Sequence, residues 1–387
     1  MVLAVLLIFS VAAPLNQNKV PPILPILMSA FNLSVGRAGL LMSVYALTGL
    51  ILALPAGLIF QRLGYRLTGL IAGGSIALGA ALGALSTSTE GMLVSRVVEG
   101  AGTSFMAVLA PAIIAMWFAV RRRGVAMGIW ATWVPLGSTA MLLLAPALSQ
   151  AAGWQAVWWF GCLYALVAMG LFFLVVKPAS TRSTPDGSQP LSQTALPPAR
   201  ASRVLHSRDV WLIGLTFACF NIATTPFSAF LPTYLNMQRG LSLTQAALLA
   251  SLTAVIPIFS CPVGGMLSDR IGSRKRPYVV GMLLITFTLP LVTVLGTSTL
   301  VMLIVAYGLV TGLVPTNIFT AGVEAAGDER LGGLAMGVLM AGQNAGMLIG
   351  PLAFGALVEA AGWPLAFASM AVIGLAGAVA GWLARVK

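Results

Sequence analysis

Long uninterrupted apolar runs dominate the chain, and each has the length, about 20 residues, that crosses a membrane as an α-helix. The runs are continuous and do not alternate with polar residues every second position, which excludes a β-barrel. The pattern therefore predicts an all-α polytopic membrane protein with twelve transmembrane helices. We number them as spans 1 to 12: 3–30, 38–60, 67–86, 91–119, 125–148, 156–177, 209–232, 244–266, 277–296, 299–322, 335–357 and 364–385.

Composition supports this class of protein. Of the 387 residues, 59% are hydrophobic and 8% are charged, whereas about 25% of the residues of a soluble domain are charged. The first run has no basic segment before it and no cleavage site, so it predicts a membrane helix and not a signal peptide. The cysteines Cys162, Cys219 and Cys261 lie far apart within apolar runs. They match no metal or disulfide spacing, and we predict neither a metal nor a cofactor.

The net charge of +12 comes from basic residues in alternate short loops, which removes a nucleic-acid partner from consideration. Seventeen Lys and Arg fall on one side of the predicted spans and two, Arg37 and Arg239, fall on the other. Because Lys and Arg accumulate on the cytoplasmic side, both termini are predicted to be cytoplasmic. The predicted location is the plasma membrane, the bacterial inner membrane.

One polar segment divides the spans six and six. Residues 180–203 read STRSTPDGSQPLSQTALPPARASR, a composition typical of a flexible linker. The chain is therefore predicted to contain an N-terminal six-helix bundle at 1–178, a cytoplasmic linker at 179–208 and a C-terminal six-helix bundle at 209–387. The only histidine, His206, lies in this linker, so no histidine proton relay is expected within the membrane.

The two halves of the chain resemble each other at a nearly constant offset. Leu24-Pro25 recurs as Leu231-Pro232 after 207 residues, the loop from Gly57 recurs from Gly265 after 208, and Gly153-Trp154 recurs as Gly362-Trp363 after 209. Since six spans separate the copies, the copies have the same orientation. This predicts parallel repeats about an axis along the membrane normal.

At these residues the sequence resembles the major facilitator superfamily. The loop at 265–274, GMLSDRIGSR, matches the family signature G-x-L-a-D-R-x-G-R-R, while the first-half copy at 57–66, GLIFQRLGYR, has Gln61 in place of the Asp. Span 4 carries the similar R-x-x-x-G-x-G from Arg96. The resemblance implies two pseudo-symmetric six-helix bundles, with spans 1, 4, 7 and 10 around a central cavity, that rock between two conformations.

Charges in the signature loops are candidates for a gate. A carboxylate at a helix end can accept hydrogen bonds from arginines and from a neighbouring helix N-terminus, and such a cluster closes the cytoplasmic side. The predicted gating residues are Asp269, Arg270, Arg62 and Arg66. The alternative is that these are solvated loop charges.

Ionisable residues within the bilayer are functional candidates by default. Lys19 lies near the middle of span 1 and shares a helix face with Asn16. Its ammonium group either contacts the substrate, or it pairs with a carboxylate or forms hydrogen bonds between helices. In span 4, Arg96 and Glu99 form a self-neutralising pair, or Glu99 couples transport to protons while Arg96 binds substrate. These membrane-embedded residues comprise two cations and one anion. The excess positive charge favours an anionic substrate.

Uncharged polar and aromatic residues complete the predicted substrate site, although helix–helix hydrogen bonding is an equal alternative for each. They are Tyr45, Trp133, Asn221, Thr225, Asn317 and Asn344.

The sequence therefore predicts a secondary transporter of a small organic or inorganic anion, with the proton as the candidate coupling ion, and not an enzyme. Leu15-Asn16 to Lys19, the following LPILMSAFNLS, Trp117-Phe118 and Arg123-Gly124 resemble the branch that carries cyanate, nitrate and carboxylate-type anions. Multidrug or metabolite efflux on the same fold is the alternative function. The expected partners are the substrate, protons and membrane lipid, and the expected state is a monomer.

Overall fold

The computed structural model describes residues 1–52, 55–117, 126, 129–130, 132–176, 206–325 and 332–386, and these are helical with short connections. We name the helices α1 to α13 in chain order. They are Val2–Gln17, Leu24–Phe31, Val35–Leu52, Pro55–Ala84, Thr89–Trp117, Trp133–Ala152, Trp154–Val175, Arg208–Arg239, Leu243–Ile271, Lys275–Val294, Thr297–Thr311, Leu313–Ala325 and Gly332–Leu383.

Eleven helical stretches among the described residues are long and apolar enough to cross a membrane. The last stretch, Ala335–Leu383, has 49 residues and turns at Gly362, where φ is 79°, so it makes two crossings. A similar turn at Gly64 separates the end of span 2 from span 3 within α4. Glycine is favoured at both positions because side chains rarely adopt positive φ. The predicted all-α, twelve-helix membrane fold is confirmed.

Span 1, predicted at 3–30 with a kink caused by Pro21, Pro22 and Pro25, is broken into separate helical segments. The helix α1 ends at Gln17, a 3-10 turn follows at Pro21–Ile23, and α2 then begins at Leu24. Pro21 and Pro22 have no backbone N–H, so they cannot continue the hydrogen-bond ladder. The carbonyls at the end of α1 are therefore left for other partners.

The predicted linker lies outside the described residues except for 206–208, so the three predicted domain boundaries remain predictions. We call the described residues 1–176 the first half and 206–386 the second half. Matching close contacts recur in the two halves at the repeat offset. Gly137 packs against Val11, Pro14 and Leu15, and Gly346 packs against Ala218, Asn221 and Ile222.

The alternating helices give the molecule two ends, which we name after Glu359 and Asp269. One buried apolar core joins both halves: its first-half members, such as Leu27, Leu33 and Trp158, lie toward the Glu359 end. A separate core toward the Asp269 end, around Phe9 and Phe172, contains first-half residues alone. The halves therefore pack against each other mainly at the Glu359 end.

Hydrogen bonds join the halves at the Glu359 end. The Glu359 carboxylate accepts a hydrogen bond from the Ser34 hydroxyl at 3.0 Å and from the Gly36 backbone N–H at 3.2 Å. Gly36 lies in the first turn of α3, where N–H groups lack partners within the helix and favour a carboxylate. Gln150 donates to the Thr244 hydroxyl at 3.2 Å across the same end.

Candidate functional site

A cavity of about 880 Å³ lies between the two halves, within the size range of sites for organic ligands. Its described lining contains no Asp, Glu, Lys, Arg or His. The lining is mostly apolar, and its polar members are Gln17, Asn18, Thr132, Ser138, Thr224, Thr225, Ser228, Thr253 and Thr316. An ion in this cavity would therefore meet amides and hydroxyls, not a charged side chain.

Equivalent positions of the repeat face each other across the cavity. Gln17 and Asn18 of the first half correspond to Thr224 and Thr225 of the second half, each 207 residues later. Ser138 and Leu142 correspond to Met347 and Pro351 at an offset of 209, and all four line the cavity. The cavity thus surrounds the pseudo-symmetry axis that the repeats predict.

The three ionisable residues at membrane depth form one buried network. The Glu99 carboxylate pairs with the Lys19 ammonium through one oxygen and with the Arg96 guanidinium at 2.5 Å through the other. All three residues are fully buried. Buried charges need counter-charges and hydrogen bonds to offset the loss of water, and here one carboxylate serves two cations.

Arg96 also satisfies the carbonyls at the broken end of α1. Its guanidinium donates to the Asn16 and Gln17 carbonyls, each at 2.8 Å, and to the Leu41 carbonyl at 3.1 Å. A cation is favourable at a helix C-terminus because the free carbonyls there carry partial negative charge. Arg96 therefore connects the network to Gln17, whose side chain lines the cavity.

Lys19 is enclosed in this conformation and does not reach the cavity. Its ammonium donates to the Asn16 side-chain oxygen at 3.1 Å and lies 4.6 Å from the Trp158 ring centroid. Asn16 in turn donates to the Ala12 carbonyl at 2.9 Å. This pairing with a carboxylate is the second of the two arrangements that the sequence allows for Lys19, and substrate contact remains a prediction.

Tyr45 belongs to the same network. Its ring faces the Arg96 guanidinium, with 4.5 Å between the guanidinium carbon and the ring centroid. Its hydroxyl donates to the Ala13 carbonyl at 3.1 Å and contacts the Thr103 hydroxyl. The structure thus brings together five predicted residues from α1, the turn that follows it, α3 and α5, namely Asn16, Lys19, Tyr45, Arg96 and Glu99.

The other predicted substrate residues are distributed over the molecule, and Thr225 is the one that lines the cavity. Trp133 stacks on Trp130 with ring centroids 5.2 Å apart. Asn344 donates to the Met340 carbonyl at 2.9 Å and lies against Gly49, where α3 and α13 cross.

Two further predicted asparagines bond to helix backbone within the second half. Asn221 donates to the Phe217 carbonyl at 2.8 Å, and Asn317 donates to the Leu313 carbonyl at 2.7 Å. The substrate roles of Asn221 and Asn317 remain predictions.

The predicted gating residues lie at the Asp269 end. Asp269 pairs with Arg274, which also donates to Glu324 at 3.2 Å; hydrogen bonds to the two carboxylates raise the pKa of Arg274. Arg270, Arg62 and Arg66 are exposed. The partners described for Asp269 belong to the second half, so its role as a gate between the halves remains a prediction.

Sequence reasoning did not select several residues that line the cavity. Gln17 and Asn18 lie in the same polar run as Asn16 and Lys19, but a helix face cannot be assigned without its neighbours. Ser138 and Thr253 lie in spans 5 and 8, outside the four spans expected around the cavity. The one feature of the sequence that marks Ser138 and Thr253 is a hydroxyl side chain within an apolar run.

Comparisons with known proteins place the chain in a family. The chain is 24% identical over 383 residues to a probable sulfoacetate transporter of Cupriavidus necator, covering 94% of this chain and 88% of the relative. It is 23% identical over 385 residues to the hexuronate transporter of Bacillus subtilis, covering 93% and 90%.

A crystal structure of a bacterial homolog of the human lysosomal transporter Spinster, in an inward-facing and occupied conformation, has the same fold. Its TM-score is 0.82 at 17% identity, with 100% of this chain and 97% of that chain covered. The profile of the Major Facilitator Superfamily matches residues 6–333. The chain is therefore a multi-pass membrane protein that belongs to the Major Facilitator Superfamily.

Proposed function

We propose that the protein is a secondary active transporter that carries a small organic anion through alternating access of its central cavity. Family membership and two relatives named as sulfoacetate and hexuronate transporters support this class of substrate. The cavity of about 880 Å³ suits an organic ion better than a triatomic or tetratomic inorganic one.

We assign the Asp269 end to the cytoplasm, because seventeen of the 21 Lys and Arg fall on that side of the spans. The shared core and the bonds to Glu359 then seal the external end. The described conformation is inward-facing in this assignment, and the outward-facing conformation requires the Ser34–Glu359 and Gln150–Thr244 bonds to break.

The buried network of Lys19, Arg96 and Glu99 is the single observation that carries the anion assignment. With all three groups ionised the network has a net charge of +1, and it contacts the cavity wall through the Gln17 carbonyl. A charge in a low-dielectric interior is weakly screened, so its field extends into the cavity and attracts an anion.

Glu99 is the residue that we propose for proton coupling. Its protonation removes the carboxylate that balances Lys19 and Arg96, and two buried cations without a counter-charge are unfavourable. An anion in the cavity offsets that charge, and Lys19 is released to turn toward it. Proton and anion therefore bind together, which is symport.

Uptake by purified protein in liposomes tests this function. We expect an inward proton gradient to drive accumulation of radiolabelled D-glucuronate or sulfoacetate, with no chemical change in the solute. Absence of uptake of both anions, together with uptake of a lipophilic cation such as tetraphenylphosphonium above that of protein-free liposomes, would overturn the proposal.

Efflux of amphipathic compounds is the second candidate function. The mostly apolar, uncharged lining of the cavity favours it, because such surfaces bind compounds of varied shape through apolar contact. The tetraphenylphosphonium arm of the same experiment separates the two functions.

A further inference from the structure

We propose that the cavity presents hydrogen-bond acceptors at Asn18, Thr132, Thr224 and Thr253 and amide donors at Gln17, so that the transported anion is recognised through its own hydrogen-bond donors as well as its charge. Gln17, Thr224 and Thr253 are then the residues that determine specificity. This inference rests on the proposed function, because it describes how an organic anion is recognised within the same cavity.

The acceptor wall follows from where two cavity hydroxyls already donate. Thr224 donates to the Phe220 carbonyl and Thr253 donates to the Ala250 carbonyl, each at 2.7 Å. A carbonyl oxygen can only accept, so the single proton of each hydroxyl is already committed. The oxygens of Thr224 and Thr253 therefore offer a ligand lone pairs alone.

The first-half side of the cavity has the same character at two positions. The amide nitrogen of Asn18 donates to the Pro14 carbonyl and to the Ser138 hydroxyl, each at 2.9 Å, which uses both of its hydrogens. Thr132 donates to the Ile129 carbonyl at 2.7 Å. Asn18 and Thr132 thus also present oxygen lone pairs to a ligand.

Gln17 presents donors instead, and the Ser138 hydroxyl, which accepts from Asn18, keeps its own proton. Its side-chain amide has no hydrogen-bond partner among the described residues, it is half-buried, and it lines the cavity. Its own backbone carbonyl accepts a bond from Arg96 at 2.8 Å, so the residue that carries the amide is hydrogen-bonded directly to the positive network. Two free N–H donors at this position suit a carboxylate, and they orient the anionic group toward Lys19 and Arg96.

Recognition then differs between the two classes of anion named for the relatives. A hexuronate carries hydroxyl donors in addition to its carboxylate, whereas sulfoacetate carries two anionic groups without a hydroxyl. Acceptor oxygens facing a donor-free anion lose water without gaining a partner, which is unfavourable. The cavity therefore favours hydroxylated carboxylates over their deoxy analogues.

Binding to the purified full chain tests this selectivity with paired anions. The probes are glycerate with propionate, malate with succinate, and galactarate with adipate, measured by competition at constant pH. We expect the hydroxylated member of a bound pair to bind about threefold to tenfold tighter, the scale of one or two neutral hydrogen bonds. Equal binding within each pair would overturn the inference while leaving the proposed function intact, and binding of no anion would overturn the proposed function.

Substitutions assign the selectivity to residues. Thr224→Val and Thr253→Val should reduce the preference for the hydroxylated member of a pair about threefold. Thr216→Val is the matched control: Thr216 lies on the same helix and donates to the Leu212 carbonyl at 2.9 Å, but it does not line the cavity, so the preference should persist. Loss of preference in Thr216→Val would contradict the assignment.

The amide donors of Gln17 require a different variant. Gln17→Met preserves side-chain length and removes the amide, and it should weaken both members of a pair by the same factor, because the carboxylate is common to both. An unchanged melting temperature in detergent verifies folding. Unaltered affinity of folded Gln17→Met for both members would overturn the role of Gln17.

Discussion

The two halves of the molecule provide different hydrogen-bond donors to an equivalent backbone carbonyl. In the first half, the Gln17 carbonyl beside the cavity accepts a hydrogen bond at 2.8 Å from Arg96, a member of a three-charge network. In the second half, the equivalent carbonyl of Thr224 accepts one at 3.3 Å from the neutral hydroxyl of buried Tyr307. The fold therefore does not require a charge at this position.

The neutral arrangement of the second half indicates a role for the charges of the first half. Burial of an ion costs several kcal/mol even when it is paired, and the second half shows that a tyrosine can satisfy an equivalent carbonyl without that cost. We infer that Lys19, Arg96 and Glu99 serve transport and not folding alone.

The largest effect is expected from Glu99→Gln. It leaves Lys19 and Arg96 buried without a counter-charge, which should lower the free energy of unfolding by about 3–5 kcal/mol. The double variant Lys19→Gln/Glu99→Gln restores the original net charge and should recover part of this loss. Unfolding in detergent measures both, and equal stability of Glu99→Gln and the wild type would contradict an ionised network.

Lys19→Gln is expected to act mainly on anion binding. The remaining Arg96–Glu99 pair is neutral, so the attraction for an anion in the cavity falls, and affinity for D-glucuronate should drop by about tenfold, or ~1.4 kcal/mol. Lys19→Arg keeps the charge but changes the geometry and should impair binding less. Affinity in Lys19→Gln equal to that of the wild type would make Lys19 structural.

Tyr307→Phe tests the neutral side of the comparison. It removes one hydroxyl donor from the Thr224 carbonyl and should lower the free energy of unfolding by about 0.5–1.5 kcal/mol, while the pH dependence of transport stays unchanged. An altered pH dependence in this variant would show that the second half also takes part in proton coupling.

The smallest effect on stability is expected from Asp269→Asn. Asp269 is exposed and its partner Arg274 is partly exposed, and pairs near the surface contribute about 0.2–1 kcal/mol. Anion affinity should be retained while turnover in liposomes slows, because closure at this end loses a charge-assisted hydrogen bond. Wild-type turnover would remove Asp269 from the gate.

Much of the fold could be predicted because span length and loop charge are local properties of the sequence. The break in span 1 was also partly visible: Pro21, Pro22 and Pro25 predict a kink, although not that α1 ends four residues before Pro21. Gly64 and Gly362 mark turns whose positive φ is a backbone property that residue type alone does not specify.

The candidate site was predictable in its charges but not in its geometry. Lys19, Arg96 and Glu99 were identified because ionisable residues are rare within a membrane. That all three meet depends on how α1 packs on α5. That Gln17 faces the cavity depends on the rotation of α1, which close contacts of Gly137 with Leu15 and of Gly161 with Asn16 fix.

Co-transport of protons and anion by Glu99→Gln tests the central claim most directly. In liposomes, wild-type protein should take up D-glucuronate faster as the external pH falls, with alkalinisation of the external medium. Glu99→Gln should exchange D-glucuronate across the membrane at a rate independent of pH and without proton movement. Proton uptake by Glu99→Gln with the pH dependence of the wild type would contradict the account.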